Sequence, residues 1–99
     1  MEKGDKNMRV KINTTDIVEV TTVFVTPGKT NEGTMFCYIE LTYGDSEYEK
    51  ITGEFKCYDA TTIDECEAKA MPFINELYEK GYIDIGSSEK RKKYGITIY

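Results

Sequence analysis

Histidine and tryptophan are both missing from the 99 residues, and only three cysteines are present, scattered along the chain. The missing histidine excludes most. Imidazole alone has an unperturbed pKa near neutrality, and most small hydrolases and proton-shuttling sites use it. Cys37, Cys57 and Cys66 match no metal-ligand spacing. Carboxylates are plentiful, but pairs such as Glu65 with Glu76 or Asp59 with Asp64 have no spacing that singles out an acid and a base. Pro27-Gly28-Lys29-Thr30 echoes the Gly-Lys-Thr of a phosphate-binding loop, yet it lacks the upstream glycine and a following helix. The chain is therefore read as a non-enzyme, with no catalytic residue, no metal and no cofactor.

Long apolar runs are also absent. No stretch approaches the ~20 residues that cross a bilayer, so no membrane partner is expected. Met1–Asn7 is polar and reads as a flexible tail, and no secretory signal is visible. Thiols of odd number without such a signal fit a reducing compartment, so the expected location is the cytoplasm.

What is present suffices for one small core. Hydrophobic residues make up 39% and aromatic residues 12%, against 31% charged, which favours a folded chain over a disordered one. At this length one domain is expected, spanning 8–99.

Met8–Asn13 alternates apolar and polar residues, the mark of a half-buried strand. Asp16–Val25 is rich in valine and threonine. Val18, Val20 and Phe24 fall on one face and Val23 and Val25 on the other, as in a mid-sheet strand or one bent by a bulge. Thr26–Gly33 carries turn residues throughout and reads as an exposed loop. Thr34–Tyr43 is the clearest strand, with Met35, Cys37, Ile39, Leu41 and Tyr43 on one face and Phe36, Tyr38 and Glu40 on the other. Gly44-Asp45-Ser46 reads as a hairpin turn. Glu47–Tyr58 then forms the partner strand, with Gly53 marking a bulge or a close backbone approach.

Thr62 and Glu65 form a capping-box signature. Behind it, Ile63, Cys66, Ala70, Phe73, Ile74 and Leu77 fall within a sector roughly 100° wide at helical spacing. This is one long helix with one apolar face, closed by Gly81. Pro72 inside it predicts a kink or the start of a second helix. Tyr82–Ile85 and Tyr94–Tyr99 read as two further strands joined by a loop. The expected fold is α+β: a mainly antiparallel sheet of five to six strands, order ββββαββ, with one long helix packed on one face. The other face is left for a partner or for a homodimer.

Three features point toward a surface. Between Glu40 and Glu67, nine acids against two lysines leave a local charge of −7, beyond the −5 of the whole chain. Such a surface suits a protein with a basic surface, including a nucleic-acid groove. Tyrosine is the second feature, at eight residues, because it combines large contact area with a low ordering cost. Tyr38, Tyr48 and Tyr58 lie among charges on the central hairpin. The candidate partner-binding set is Tyr38, Glu47, Tyr48, Glu49, Glu54, Tyr58, Asp64 and Glu67. The third is the run Lys90, Arg91, Lys92 and Lys93, read as a loop contacting phosphate or an acidic surface.

Helix, Lys80-Gly81-Tyr82-Ile83, basic loop and Tyr94-Gly95-Ile96 together resemble the last helix and wing of winged-helix DNA-binding domains. The resemblance implies DNA contact through Lys90–Lys93. It covers only the C-terminal part of the chain, and strands hold the place of that family's helix-turn-helix.

Each feature has a plainer explanation as well: solubility charge, good strand formers, a charged tip that blocks edge pairing. The expected function is a small acidic cytosolic protein–protein interaction domain. Small, catalytically bare proteins of this kind are typical of phage and mobile elements that inhibit host machinery by occlusion. In that form the acids imitate phosphates in a nucleic-acid groove. A small nucleic-acid- or nucleotide-binding protein, using 90–93 and exposed tyrosines, is the alternative; nucleic acid is the less favoured partner.

Overall fold

The computed structural model describes residues 8–44, 48–57 and 59–99. The expected tail at Met1–Asn7 and the candidate residues Glu47 and Tyr58 lie outside the described residues. Six strands form one mixed sheet, β1 (Met8–Lys11), β2 (Ile17–Lys29), β3 (Met35–Tyr43), β4 (Lys50–Phe55), β5 (Tyr82–Asp84) and β6 (Ile96–Ile98). Their spatial order is β5-β1-β2-β3-β4-β6. All neighbouring pairs are antiparallel except β1 with β5. Among the described residues three short helices, α1 (Ile63–Ala68), α2 (Met71–Lys80) and α3 (Ser88–Tyr94), complete the α+β fold.

The valine-rich strand owes its two-faced pattern to a bulge. Register against β3 shifts between Val20 and Thr22, where Thr21 Oγ1 donates to Thr42 O at 3.2 Å. The shift brings Val18, Val20, Val23 and Val25 onto the core side and turns Phe24 to the opposite face. The strand also runs through the expected loop as far as Lys29. Pro27 stands opposite Cys37 and Gly28 opposite Phe36. Among the described residues β1 pairs with β2 only from Ile17 to Val20, so proline removes no ladder bond on that side. Gly28 is fixed by packing: the Phe36 ring lies across it so closely that an added Cβ would sit 2.4 Å from Cζ. The remaining turn is tight, closed by Thr30 N–H to Thr34 O at 2.8 Å. Gly53 is a close approach rather than a bulge, because its pairing with Ile39 and Ile98 is in register.

The single long helix expected from the sequence is two helices. Lys69 and Ala70 N–H groups turn back to the carbonyls three residues earlier, at 3.1 and 3.0 Å, and α2 starts at Met71 with Pro72 in its first turn. Proline brings no N–H to the first turn and fits there, whereas mid-helix it would clash with the preceding turn. The cap works as expected in part. Thr62 accepts from Glu65 N–H at 3.1 Å, but the Glu65 carboxylate reaches Thr61, one residue earlier than a capping box requires. Those bonds hold its carboxyl below the usual range. Cys66, Ala70, Phe73, Ile74 and Leu77 are buried against the sheet as the periodicity implied, while Ile63 is 42% exposed at the helix start. Gly81 closes α2 in the left-handed region at φ 68°.

The basic run is not a hairpin loop. β5 and β6 lie at opposite edges of the sheet, and 88–94 forms α3, capped by Ser87 accepting from Lys90 N–H and by Gly95 at φ 70°. A wing requires two adjacent strands, so the winged-helix resemblance does not extend to the fold. Arg91, Lys92 and Lys93 fall in the last turn of α3, where the helix dipole favours them.

All three helices pack on one face. Phe55, Phe73 and Tyr94 form an edge-to-face series with centroids 5.7 and 5.4 Å apart, joining β4, α2 and α3. Cys66 Sγ donates to Phe36 O at 2.9 Å, tying α1 to β3. Among the described residues no helix covers the opposite face, and no helix is long and apolar enough to cross a membrane.

Candidate functional site

The uncovered face is built by strand alternation. Side chains of β3 at Phe36, Tyr38 and Glu40 point away from the helices, beside Thr26 and Phe24 of β2 and Thr52 and Glu54 of β4. Tyr99, just past β6, joins them, its backbone N–H held by Thr52 O at 2.9 Å. Three of these aromatics are open to solvent, Phe24 at 60%, Tyr38 at 41% and Tyr99 at 68%. Tyr38 is in ring contact on both sides. Phe36 and Tyr38 have centroids 5.1 Å apart, and Tyr38 and Tyr99 6.4 Å apart at 66°.

Polar groups frame this patch. Tyr99 donates its hydroxyl to Glu54 Oε1, and Lys50 Nζ lies 3.5 Å from Glu40 Oε2. Lys56 adds a second cation. Two hollows flank Tyr38 and share Tyr99 as a wall. One, of about 370 Å³, lies between Phe24, Thr26, Glu40 and Thr52. The other, of about 320 Å³, is bordered by Phe36, Glu54, Lys56 and Thr97. Both are shallow clefts whose walls mix aromatic rings with threonine, glutamate and, in one, lysine side chains, a mixture that suits contact surfaces.

The candidate residues from the sequence are spread over three surfaces. Tyr38 and Glu54 belong to the open sheet face. Tyr48, 85% exposed, and Glu49 sit at the end of the β3–β4 hairpin. Asp64 and Glu67 ride on α1, on the helix side of the sheet. Lys90, Arg91, Lys92 and Lys93 are on α3, also on that side. Arg91 is engaged internally, donating to Ile85 O at 2.9 Å, and Lys93 Nζ stands 5.3 Å over the Tyr94 ring. No single surface gathers the acids Glu49, Glu54, Asp64 and Glu67.

Phe24, Phe36 and Tyr99 extend the patch beyond the sequence-derived set. The alternation of β3 already put Phe36 beside Tyr38. Phe24 reaches the face only through the bulge, and Tyr99 only through the pairing of β6 with β4, which has no local signature.

Among the described residues no group of three metal-binding side chains converges. The three thiols are free and buried. Burial pushes Cys37 up to about 11 and Cys57 up to about 12, away from the thiolate that a nucleophile needs. Lys69 forms an ion pair with Asp59 at 3.0 Å, which holds the Asp59 carboxyl down and the lysine up. Comparison with family models, with curated proteins and with solved structures finds no match for the chain.

Proposed function

We infer that the protein is a non-enzymatic binding domain that acts through protein–protein contact, with the open face of its sheet as the contact surface. One observation carries this reading. Among the described residues the helices lie on one side, and the other side carries the ring series Phe36, Tyr38 and Tyr99, with the exposed Phe24 bordering the same hollow as Tyr38 and Tyr99. Apolar rings exposed together favour burial against a partner, at roughly 25 cal/mol per Å² removed from water. Tyrosine and phenylalanine are also the residue types enriched at such contacts. The mixed charges around the rings suit a polar rim. Inhibition of a host protein by occlusion is one form this function takes, with the sheet face rather than a phosphate-like row of acids as the blocking surface.

The test is affinity capture with the wild-type chain, with Phe24→Ser/Tyr38→Ser, and with Lys90→Ala/Lys92→Ala. A protein retained in stoichiometric amount by the wild type and the lysine variant, but lost with the face variant, is the expected result. Retention of nucleic acid alone, abolished by the lysine changes, would overturn the reading in favour of a nucleic-acid-binding protein.

A further inference from the structure

We propose that the open sheet face takes a second copy of this chain, forming a face-to-face homodimer in which Tyr38 lies near the two-fold axis. This rests on the face being a protein contact surface, and it names the partner.

Charge is the first argument. The chain carries −5 overall, so two copies repel at most of their surfaces. On the sheet face around Tyr38 the balance is different: Lys50 and Lys56 stand against Glu40 and Glu54. A neutral patch of mixed sign has no net attraction for a strongly basic protein or for a phosphate backbone. It does accept an identical patch, because each copy presents both an acid and a lysine to the other.

Shape is the second. A two-fold interface must hold its own knobs and holes on one surface. Phe24 is the knob, 60% exposed against 41% for the neighbouring Tyr38. The hollows on either side of Tyr38 are the holes, each of a few hundred Å³. Two sheets packed in this manner sit about 10 Å apart with strands offset by about 30°, and interdigitate their facing side chains.

Area is the third. β2 faces β3 over nine residue pairs, β4 adds six residues and β6 three, and each residue covers ~3.4 Å along its strand by ~4.8 Å across it. The projected area is roughly 440 Å², and side-chain relief raises the accessible area toward the ~800 Å² per partner of a standard stable interface.

The experiment is sedimentation velocity of the full chain from low to high micromolar concentration. It compares wild type with Tyr38→Glu, Phe24→Glu and Ile63→Glu, the last being an exposed apolar residue on α1 away from the face. A wild-type dimer is expected, weakened about tenfold or more by either face change and unaffected by Ile63→Glu. Circular dichroism checks that each variant is folded, and Tyr38→Ser replaces Tyr38→Glu if the charge disrupts the strand. A wild type that stays monomeric throughout overturns the homodimer. The capture experiment above then decides separately whether the face serves a different protein. A dimer indifferent to both face changes overturns the proposal and locates self-association elsewhere.

Discussion

Tyr94 on α3 donates its hydroxyl to Glu76 on α2 at 2.8 Å, and the two residues are the polar fastening between the helices. The bond holds the Glu76 carboxyl below its usual range, with Lys80 helping at 3.4 Å. Tyr94 is affected in the opposite sense, its phenol pushed up to about 12 by burial and then by the carboxylate it faces. The ring below it packs edge-on against Phe73 at 5.4 Å, so one residue fixes α3 through both its apolar body and its polar tip.

Tyr94→Phe keeps the ring and removes the fastening. A hydrogen bond to a charged group contributes about 1.5 kcal/mol or somewhat more, so the expected loss is of that size and lowers the melting temperature by several degrees. The pH dependence has two signs. Glu76 has a depressed pKa in the folded state, so its contribution is present above its unfolded value near 4.3 and fades as pH falls through the folded value. Tyr94 has a raised pKa, so its contribution is complete below about 10 and disappears as pH rises toward about 12. Thermal melts across both ranges should show the wild type losing stability at each end and Tyr94→Phe showing smaller losses.

The three thiols offer a second prediction. Cys66 is the buried residue of α1, and it, Cys37 and Cys57 are all shielded from solvent. Cys57 Sγ approaches the carbonyls of Phe55 at 3.5 Å and Cys66 at 3.6 Å. Raised folded pKa values of about 11 for Cys37 and about 12 for Cys57 mean that the protonated thiols support the fold. That support is intact below the unfolded value near 8.5 and is lost as pH climbs through the folded values. Alkylation of the native protein at pH 8 should be slow for all three thiols and rapid once denaturant is added. Fast native labelling at that pH would mean that α1 opens readily from the sheet.

Much of this architecture is legible in the chain, and the unreadable parts share a cause. The alternation from Met35 to Tyr43 assigns both faces of β3, because a strand buried on one side writes its burial with period two. Thr62, Pro72 and Gly81 mark the helix boundaries through local backbone chemistry. The pairing of β5 with β1 is parallel and crosses the sheet by way of α1 and α2, so nothing near Tyr82 announces it. The same holds for β6 against β4, and with it for the position of Tyr99 on the open face. A uniform alternation puts Phe24 with Val18 and Val20, and the bulge at Thr21 interrupts it. As for the acids, a dense run in sequence is divided in space, because a strand and the helix after it lie on different layers.

The helix at 88–94 is the clearest signal that charge concealed. Four successive cations suggest a solvated loop, yet Ser87 and Gly95 bracket them as an N-cap and a left-handed C-cap would, and lysine and arginine are good helix formers. The structure gives both ends that role: Ser87 accepts from Lys90 N–H at 3.3 Å, and Gly95 adopts φ 70° while its N–H reaches Lys92 O at 3.1 Å. Two substitutions therefore distinguish a helix from a charged loop. Ser87→Ala removes the cap acceptor and should cost about 1 kcal/mol. Gly95→Ala forces a side chain into the left-handed region and should cost about 1–2 kcal/mol. Urea denaturation reads both as a lower midpoint with unchanged slope. Because the two ends act on the same short helix, the double variant should lose less than the sum of the single losses: once one end frays, the other has less helix to terminate. Midpoints that do not move in either variant would mean that 88–94 contributes no helix to the folded protein.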